Sequence, residues 1–179
     1  MIDLVQKALQ DGILNLQRHE QLLLMLEQAA ERAGVPVGAI CRHLRDYVGD
    51  DEREWCRKIL ASRSQPPSGM LYVGKWKDVN NRMDGIAGAL VRNFVDARVM
   101  TIGRALEERP TSMVLLMPNF CTTTKQAGWQ AERVADLVLE RLHTNRTSIL
   151  YATTVADVQN VYGKALSDML HDRFKVMKK

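Results

Sequence analysis

The sequence predicts an α/β protein: a helical N-terminal module followed by a domain built on a parallel sheet. Three observations carry this reading. Apolar residues recur at three- and four-residue steps through the first third of the chain, which is helix periodicity. A proline- and serine-bearing break, SRSQPPSG, stands at 62–69. Beyond it, short apolar runs alternate with amphipathic ones, and fully apolar runs such as LLM and SIL suit strands buried on both faces of a parallel sheet.

In the first third, Leu4, Val5, Ala8, Leu9, Ile13 and Leu16, then Leu22, Leu23, Leu26, Ala29 and Ala30, predict two helices broken near Gly12. The Leu22–Leu26 cluster is apolar on more than one side, so it is either core or a partner surface. In AGVPVGAICRHLRDYVG, a proline at the first-turn position and a stripe through Val37, Ile40, Leu44 and Tyr47–Val48 predict another short helix. GDDEREWCRKILAS opens on Asp50 and Asp51 and closes on Arg57 and Lys58, the charge order a helix dipole favours. The domain boundaries follow: 1–62 helical module, 63–69 linker, 70–179 α/β domain.

In the second part, MLYVG (70–74), ARVMTIG (97–103), SMVLLMPNF (112–120) and TSILYATT (147–154) read as strands. RMDGIAGALVRNFV (82–95) and WQAERVADLVLERLHT (129–144) read as helices. The segment 155–174 is one helix, or two meeting near Gly163.

Bulk properties narrow the classes. A hydrophobic content of 46% and a charged content of 26% are those of a folded domain. No apolar run reaches the roughly 18 residues of a membrane span, and the N-terminus lacks a secretory layout, so a cytoplasmic protein is expected. Cys41, Cys56 and Cys121 have no metal-like spacing and read as reduced thiols. The four histidines are scattered, Ser148 and Ser167 have no nucleophile elbow, and Asp168, His171 and Asp172 read as solvated charge. Residues 1–68 hold nine Lys/Arg and ten Asp/Glu, while 69–179 hold the other 16 and 11, so the net charge of +4 sits in the second part. That is compatible with nucleic acid without requiring it.

The order strand–Gly–loop–helix, strand, apolar strand, helix, strand ending in Thr-Thr is that of P-loop ATPases. Residues 69–177 resemble the DnaC/IstB-like helicase-loader branch of the AAA+ ATPases, which implies an AAA+-like, P-loop NTPase-like fold. Laid on that family's phosphate loop, Gly74 takes the first glycine and Lys75 to Asp78 the four spacers. Val79, Asn80 and Asn81 then stand where Gly, Lys and Thr belong, and MDGIAGALV matches the small-residue helix that follows. VLLMPNF resembles the Walker B strand, with Pro118 and Asn119 in place of its carboxylates. RTSILYATT resembles the sensor strand. VYGKALSDMLHDRFKVM resembles the loaders' last helix and closing strand, with the inter-subunit arginine falling at about Met169. Only about 40 residues separate the Gly74 loop from the 114–120 strand, shorter than the family's usual span, so a helix there must be trimmed.

The chemistry of these replacements points one way. A phosphate loop needs glycines so that backbone N–H groups wrap the phosphates, a lysine for charge, and a hydroxyl for magnesium. Asn80 and Asn81 supply neither, and Pro118 and Asn119 supply no metal-holding charge. The expectation is degenerate nucleotide motifs, no enzyme activity, no metal and no cofactor. Thr122–Thr124 with Lys125 form a polar loop at a predicted strand's C-terminal end, where parallel sheets place ligands.

The resemblance implies a non-hydrolysing, helicase-loader-like DNA replication factor of phage or mobile-element type. Its expected partner is a replicative, DnaB-type helicase, docked through Leu16, Leu22, Leu23 and Leu26. The alternative is a DNA-binding transposition or replication regulator of the MuB/IstB type without an ATP cycle. AGVPVGAICRHLRDYVGDDER is similar to the second half of a helix-turn-helix and to the N-terminal module of MuB-type ATPases. On that reading Arg42, His43 and Arg45 face DNA from a short recognition helix, with Arg173 and Lys175 as further basic candidates. A plain helical hairpin with a solvated basic edge explains the same residues. Homo-oligomerisation is open.

Overall fold

A computed structural model describes residues 16–62, 64–122 and 128–179. Four helices or turns come first: α1 (Leu16–Ala33), α2 (Val37–Cys41), a 3-10 turn (Leu44–Asp46) and α3 (Asp50–Ala61). Then follow β1 (Met70–Val73), α4 (Val79–Arg92), β2 (Ala97–Val99), α5 (Ile102–Glu108) and β3 (Val114–Cys121). The chain closes with α6 (Gly128–His143), β4 (Thr147–Ala152), α7 (Val155–Tyr162), α8 (Lys164–Arg173) and β5 (Lys175–Lys178). The predicted helix ahead of Gly12 lies outside the described residues.

The five strands form one parallel sheet in the order β2-β3-β4-β1-β5. Side chains alternate across it, as the period of two requires. Met70, Tyr72, Val114, Leu116 and Ile149 face one layer, made by α1 to α4. Leu71, Val73, Leu115, Met117, Leu150 and Ala152 face the other, made by α5 to α8. The result is a three-layer α/β/α sandwich, and it explains why the central strands β1 and β4 are buried on both faces.

The N-terminal helices belong to the first of these layers. Ala30, Ala33, Ile40, Trp55, Cys56 and Ile59 share a core with Tyr72, Met83, Ile86 and Leu90. Across the predicted linker at 63–69 the element type changes while one core continues on both sides. The segment between is held as well: the Trp55 indole N–H donates to the Ser68 carbonyl at 2.8 Å, and a Cβ on Gly69 would lie 2.2 Å from the Phe174 ring. Close packing of α4 depends on its small residues. A Cβ on Gly85 would lie 2.3 Å from Tyr47, and one on Gly88 2.3 Å from the Ala39 carbonyl oxygen.

Three predicted elements need correction, and a fourth settles between the two forms the sequence left open. The helix predicted over 82–95 starts earlier, at Val79, and stops at Arg92. The strand predicted over 97–103 ends at Val99, and α5 follows, capped by Thr101 and ended by Arg109 in the left-handed region at φ 44°. That is the trimmed helix the short spacing demands. The strand predicted over 112–120 runs instead from Val114 through Pro118 to Cys121. Pro118 is tolerated because β2 pairing ends at Leu116 and the register with β4 shifts between Met117 and Cys121. The segment 155–174 is two helices, hinged at Gly163 with φ 82°.

Candidate functional site

The loop between β1 and α4 has five residues, Gly74 to Asp78, and α4 begins at Val79. That is the position at which a phosphate loop hands over to its helix, so the alignment of Gly74 and Val79 has the right topology. Its chemistry is different. Gly74, at φ 111°, lies so close to the chain end that a Cβ would sit 2.2 Å from the Lys179 carbonyl oxygen. The Gly74 N–H donates to the Ala152 carbonyl at 3.3 Å, and the Trp76 N–H donates back to the Gly74 carbonyl at 3.1 Å. Those amides are turned into the protein. The Tyr151 hydroxyl also donates to the Gly74 carbonyl, at 3.1 Å, and the Trp76 indole N–H to the Val73 carbonyl, at 3.1 Å.

Trp76 folds back over β1, edge-on to Tyr72 with ring centroids 5.0 Å apart. Two cations lie 5.0 Å from its ring: the Arg82 guanidinium and the Lys179 ammonium. Arg82 sits between two carboxylates. Its Nε donates to Asp78 Oδ2 at 2.9 Å, and its Nη1 to Glu52 Oε1 at 2.6 Å. Lys179 Nζ is 3.7 Å from Asp78 Oδ1. Burial opposes ionisation of Asp78, but the hydrogen bond and charge of Arg82, with Lys179, outweigh it and hold the carboxyl below its usual range. Burial likewise opposes the Arg82 charge, and Asp78 and Glu52 together raise its pKa.

Glu52 is 2% exposed. It also accepts from the Tyr72 hydroxyl at 3.2 Å and from the Gly49 N–H at 3.2 Å. One buried carboxylate thus ties α3 to β1 and to the first turn of α4. Asn80 and Asn81, at the positions of the lysine and the hydroxyl, are both exposed.

The other degenerate positions carry structural bonds. Asn119 Oδ1 accepts the Ile102 N–H at 3.1 Å and so caps α5, while Pro118 sits at the irregular part of β3. The Thr153 N–H donates to the Cys121 carbonyl at 2.9 Å, and Thr154 caps α7 by accepting the Asp157 N–H at 3.0 Å. Met169 is half-buried against the α5–α8 core. Among the described residues, no three His, Cys, Asp or Glu side chains come together as metal ligands. Of the polar loop singled out at 122–125, only Thr122 lies among the described residues.

The predicted contact surfaces fare unevenly. Within α1, Leu22, Leu23, Leu24 and Met25 are 53%, 47%, 55% and 65% exposed, and full burial begins only at Ala30. Leu26 is half-buried against the core, and Leu16 is the first residue of the helix. Leu24 and Met25 join the surface although the heptad-like spacing did not single them out. The predicted recognition helix is not formed. α2 stops at Cys41, Arg42 and His43 are extended, and Arg45 lies in the 3-10 turn. All three are exposed, but the N-terminal half-turns that would enter a groove are missing. Arg173 ends α8 and is exposed, whereas Lys175 is bound to Asp51 at 2.6 Å.

The thiols give a direct check on burial. Burial and the Glu52 charge push the Cys56 pKa up to about 12, and burial with the Asp157 charge pushes Cys121 up to about 11, while Cys41 is exposed. An aromatic disulfide reagent at pH 8 is expected to label one thiol rapidly, lost in Cys41→Ser, and the other two only on unfolding. Three fast thiols in the native protein would contradict this packing.

The sheet order, the helix-leading loop after β1 and the helices on both faces define an AAA+-like, P-loop NTPase-like fold. No family model and no curated protein matches the chain. Solved structures do. The chain is similar to the DnaC helicase loader at 9% identity and a TM-score of 0.57, over 76% of this chain and 95% of that one. It is similar to DnaI at 11% identity and a TM-score of 0.58, over 80% and 90%. It is also similar to the replication initiator DnaA bound to AMPPCP and single-stranded DNA, at 9% identity and a TM-score of 0.55, over 76% of this chain and 49% of that one. At such identities the likeness is one of fold, and it bears out the resemblance read from residues 69–177.

Proposed function

We propose that the chain is a non-hydrolysing, helicase-loader-like replication factor that docks on a replicative helicase of the DnaB type through the exposed first turns of α1. The observation that carries this reading is the α1 surface. Four consecutive large apolar side chains, Leu22 to Met25, stand in solvent on a helix whose far end is anchored in the core. A contiguous exposed apolar surface of this kind is characteristic of a protein contact, because solvent exposure of it is otherwise a liability. The fold shared with the DnaC helicase loader and DnaI supports the choice of partner. The replaced lysine, hydroxyl and Walker B positions support the absence of hydrolysis, since each removes charge that phosphoryl transfer needs.

The test is co-purification and titration against the replicative helicase, using the wild type and a Leu22→Asp, Leu23→Asp variant. Two central anchors at about 1–3 kcal/mol each predict a loss of affinity of about 100-fold. The melting temperature should stay nearly unchanged, since these side chains bury little in the free protein. Undiminished helicase binding by that variant would sink the docking surface. Steady ATP turnover by the pure chain, lost on changing Asn80 or Asn119, would sink the non-hydrolysing reading.

A further inference from the structure

The fold class implies a nucleoside triphosphate with magnesium at the loop between β1 and α4, and the residues there do not fit it. We infer that this loop is closed by an anion of its own: the Asp78 carboxylate occupies, at the N-terminus of α4, the electrostatic position of a bound phosphate, and the domain takes up no nucleotide. The inference rests on the topology of the loop and is independent of which partner the protein binds.

A helix that follows a phosphate loop offers its ligand a positive helix terminus, converging N–H groups and one cation. The cations and two of the loop amides are already used here, while the Asp78 side chain bonds to none of the first-turn amides of α4. Asp78 is the N-cap residue of α4, so its negative charge lies at the positive end of the helix. The cations are Arg82, donating to Asp78 Oδ2 at 2.9 Å, and Lys179, 3.7 Å from Oδ1. Asp78 Oδ1 is buried although the side chain as a whole is 42% exposed, so one oxygen of the carboxylate is turned into the protein. The Gly74 and Trp76 amides bond to protein carbonyls. The space over β1 is taken by the Trp76 ring, wedged between Tyr72, Arg82 and Lys179. An incoming triphosphate would have to displace a paired carboxylate of its own sign and unstack a tryptophan held by two cations. The arrangement is stabilised from below by Glu52, which neutralises the second face of Arg82.

Two measurements on the full chain test this. A fluorescent N-methylanthraniloyl ATP with magnesium is titrated against the wild type, with unlabelled ATP as competitor. Thermal melts of the wild type, Asp78→Asn and Asp78→Ser are then compared in phosphate, sulfate and chloride at matched ionic strength. The expected wild-type result is no competable binding up to about 1 mM and only the general stabilisation that phosphate and sulfate give over chloride. The Asp78 variants leave Arg82, Lys179 and the helix terminus without their anion. They should melt lower and recover about 2–4 °C more than the wild type does in about 100 mM phosphate or sulfate over chloride, the size expected for a weak ligand in several-fold excess. Saturable ATP binding by the wild type overturns the inference, and that titration stands even if neither variant folds. Folded variants that respond to the anion no more than the wild type does would also overturn it, because Asp78 would then not be standing in for one. Loss or retention of helicase binding touches neither readout.

Discussion

Replacing Arg141 by leucine lowers the free energy of unfolding by about 3–5 kcal/mol, the range for orphaning several buried polar groups at once. The side chain is 1% exposed and has no carboxylate partner among the hydrogen bonds that hold it. It donates instead to the Pro110 carbonyl at 3.0 Å, the Ser112 carbonyl at 3.0 Å, the Thr147 carbonyl at 2.8 Å and Ser148 Oγ at 3.0 Å. One guanidinium from the end of α6 therefore ties together the entries to β3 and β4. Its charge is costly there: burial, followed by the nearby Arg146 charge, draws its pKa down to about 10. The sign follows. A folded pKa below the unfolded one means that the folded state holds the proton less tightly, so unfolding is favoured as pH falls from above the unfolded pKa through the folded one. Below about pH 9 that contribution is constant. Chemical denaturation at pH 7 is the measurement, with Arg141→Lys beside Arg141→Leu. Lysine keeps the charge but cannot span four acceptors in the geometry of the planar fork, so it should recover only part of the loss. Full recovery by lysine would mean that the charge, and not the fork, is what matters.

Glu52→Ala is expected to cost about 3 kcal/mol, in line with removing one partner from a buried ion pair. The change strips Arg82 of one of its two carboxylates and leaves the buried Tyr72 hydroxyl and the Gly49 N–H without their acceptor. Burial, then the Glu52 charge and hydrogen bond, hold the Tyr72 pKa well above its ordinary value. The variant should therefore bring the Tyr72 ionisation back toward the normal range in a spectrophotometric titration, alongside the loss in stability. Coupling can be read from a double-mutant cycle with Arg82→Met. An interaction energy near zero would show that Glu52 acts only through packing. A value of about 1–3 kcal/mol is expected for directly bonded charges.

These two residues mark where sequence reasoning ran out. Arg141 lies in an amphipathic helix whose register was legible from Val134, Leu137, Val138 and Leu142, yet nothing in that pattern says that an arginine is inside. Its acceptors are mostly backbone carbonyls, two of them about 30 residues upstream, and backbone groups leave no mark on composition. Glu52 reads in sequence as an ordinary first-turn acid favoured by the helix dipole. Its real partners, Tyr72 and Arg82, come from two other elements. The helix α5 was hidden because its seven residues contain Gly103 and little periodicity, although Thr101 ahead of it and Pro110 behind it were usable signals.

The nucleotide loop shows the same division. The residue types read against the nucleotide motifs, Asn80, Asn81, Pro118 and Asn119, were visible because motif chemistry depends on residue type at fixed spacing. That Trp76, Asp78, Arg82 and Lys179 close the loop was not visible, although a tryptophan and an aspartate in a stretch that should be glycine-rich were a signal to follow.

The sequence by itself determined the class of fold: the alternation of strands and helices and the two-sided burial of the strands follow from local pattern. Only the tertiary structure decided that the N-terminal helices share the sheet's core, that Arg42 and His43 break the would-be recognition helix, and that Leu22 to Met25 are left outside. Local periodicity reports which faces are apolar. Which of those faces is covered depends on distant segments arriving in space, and in this chain the cover ends at Ala30.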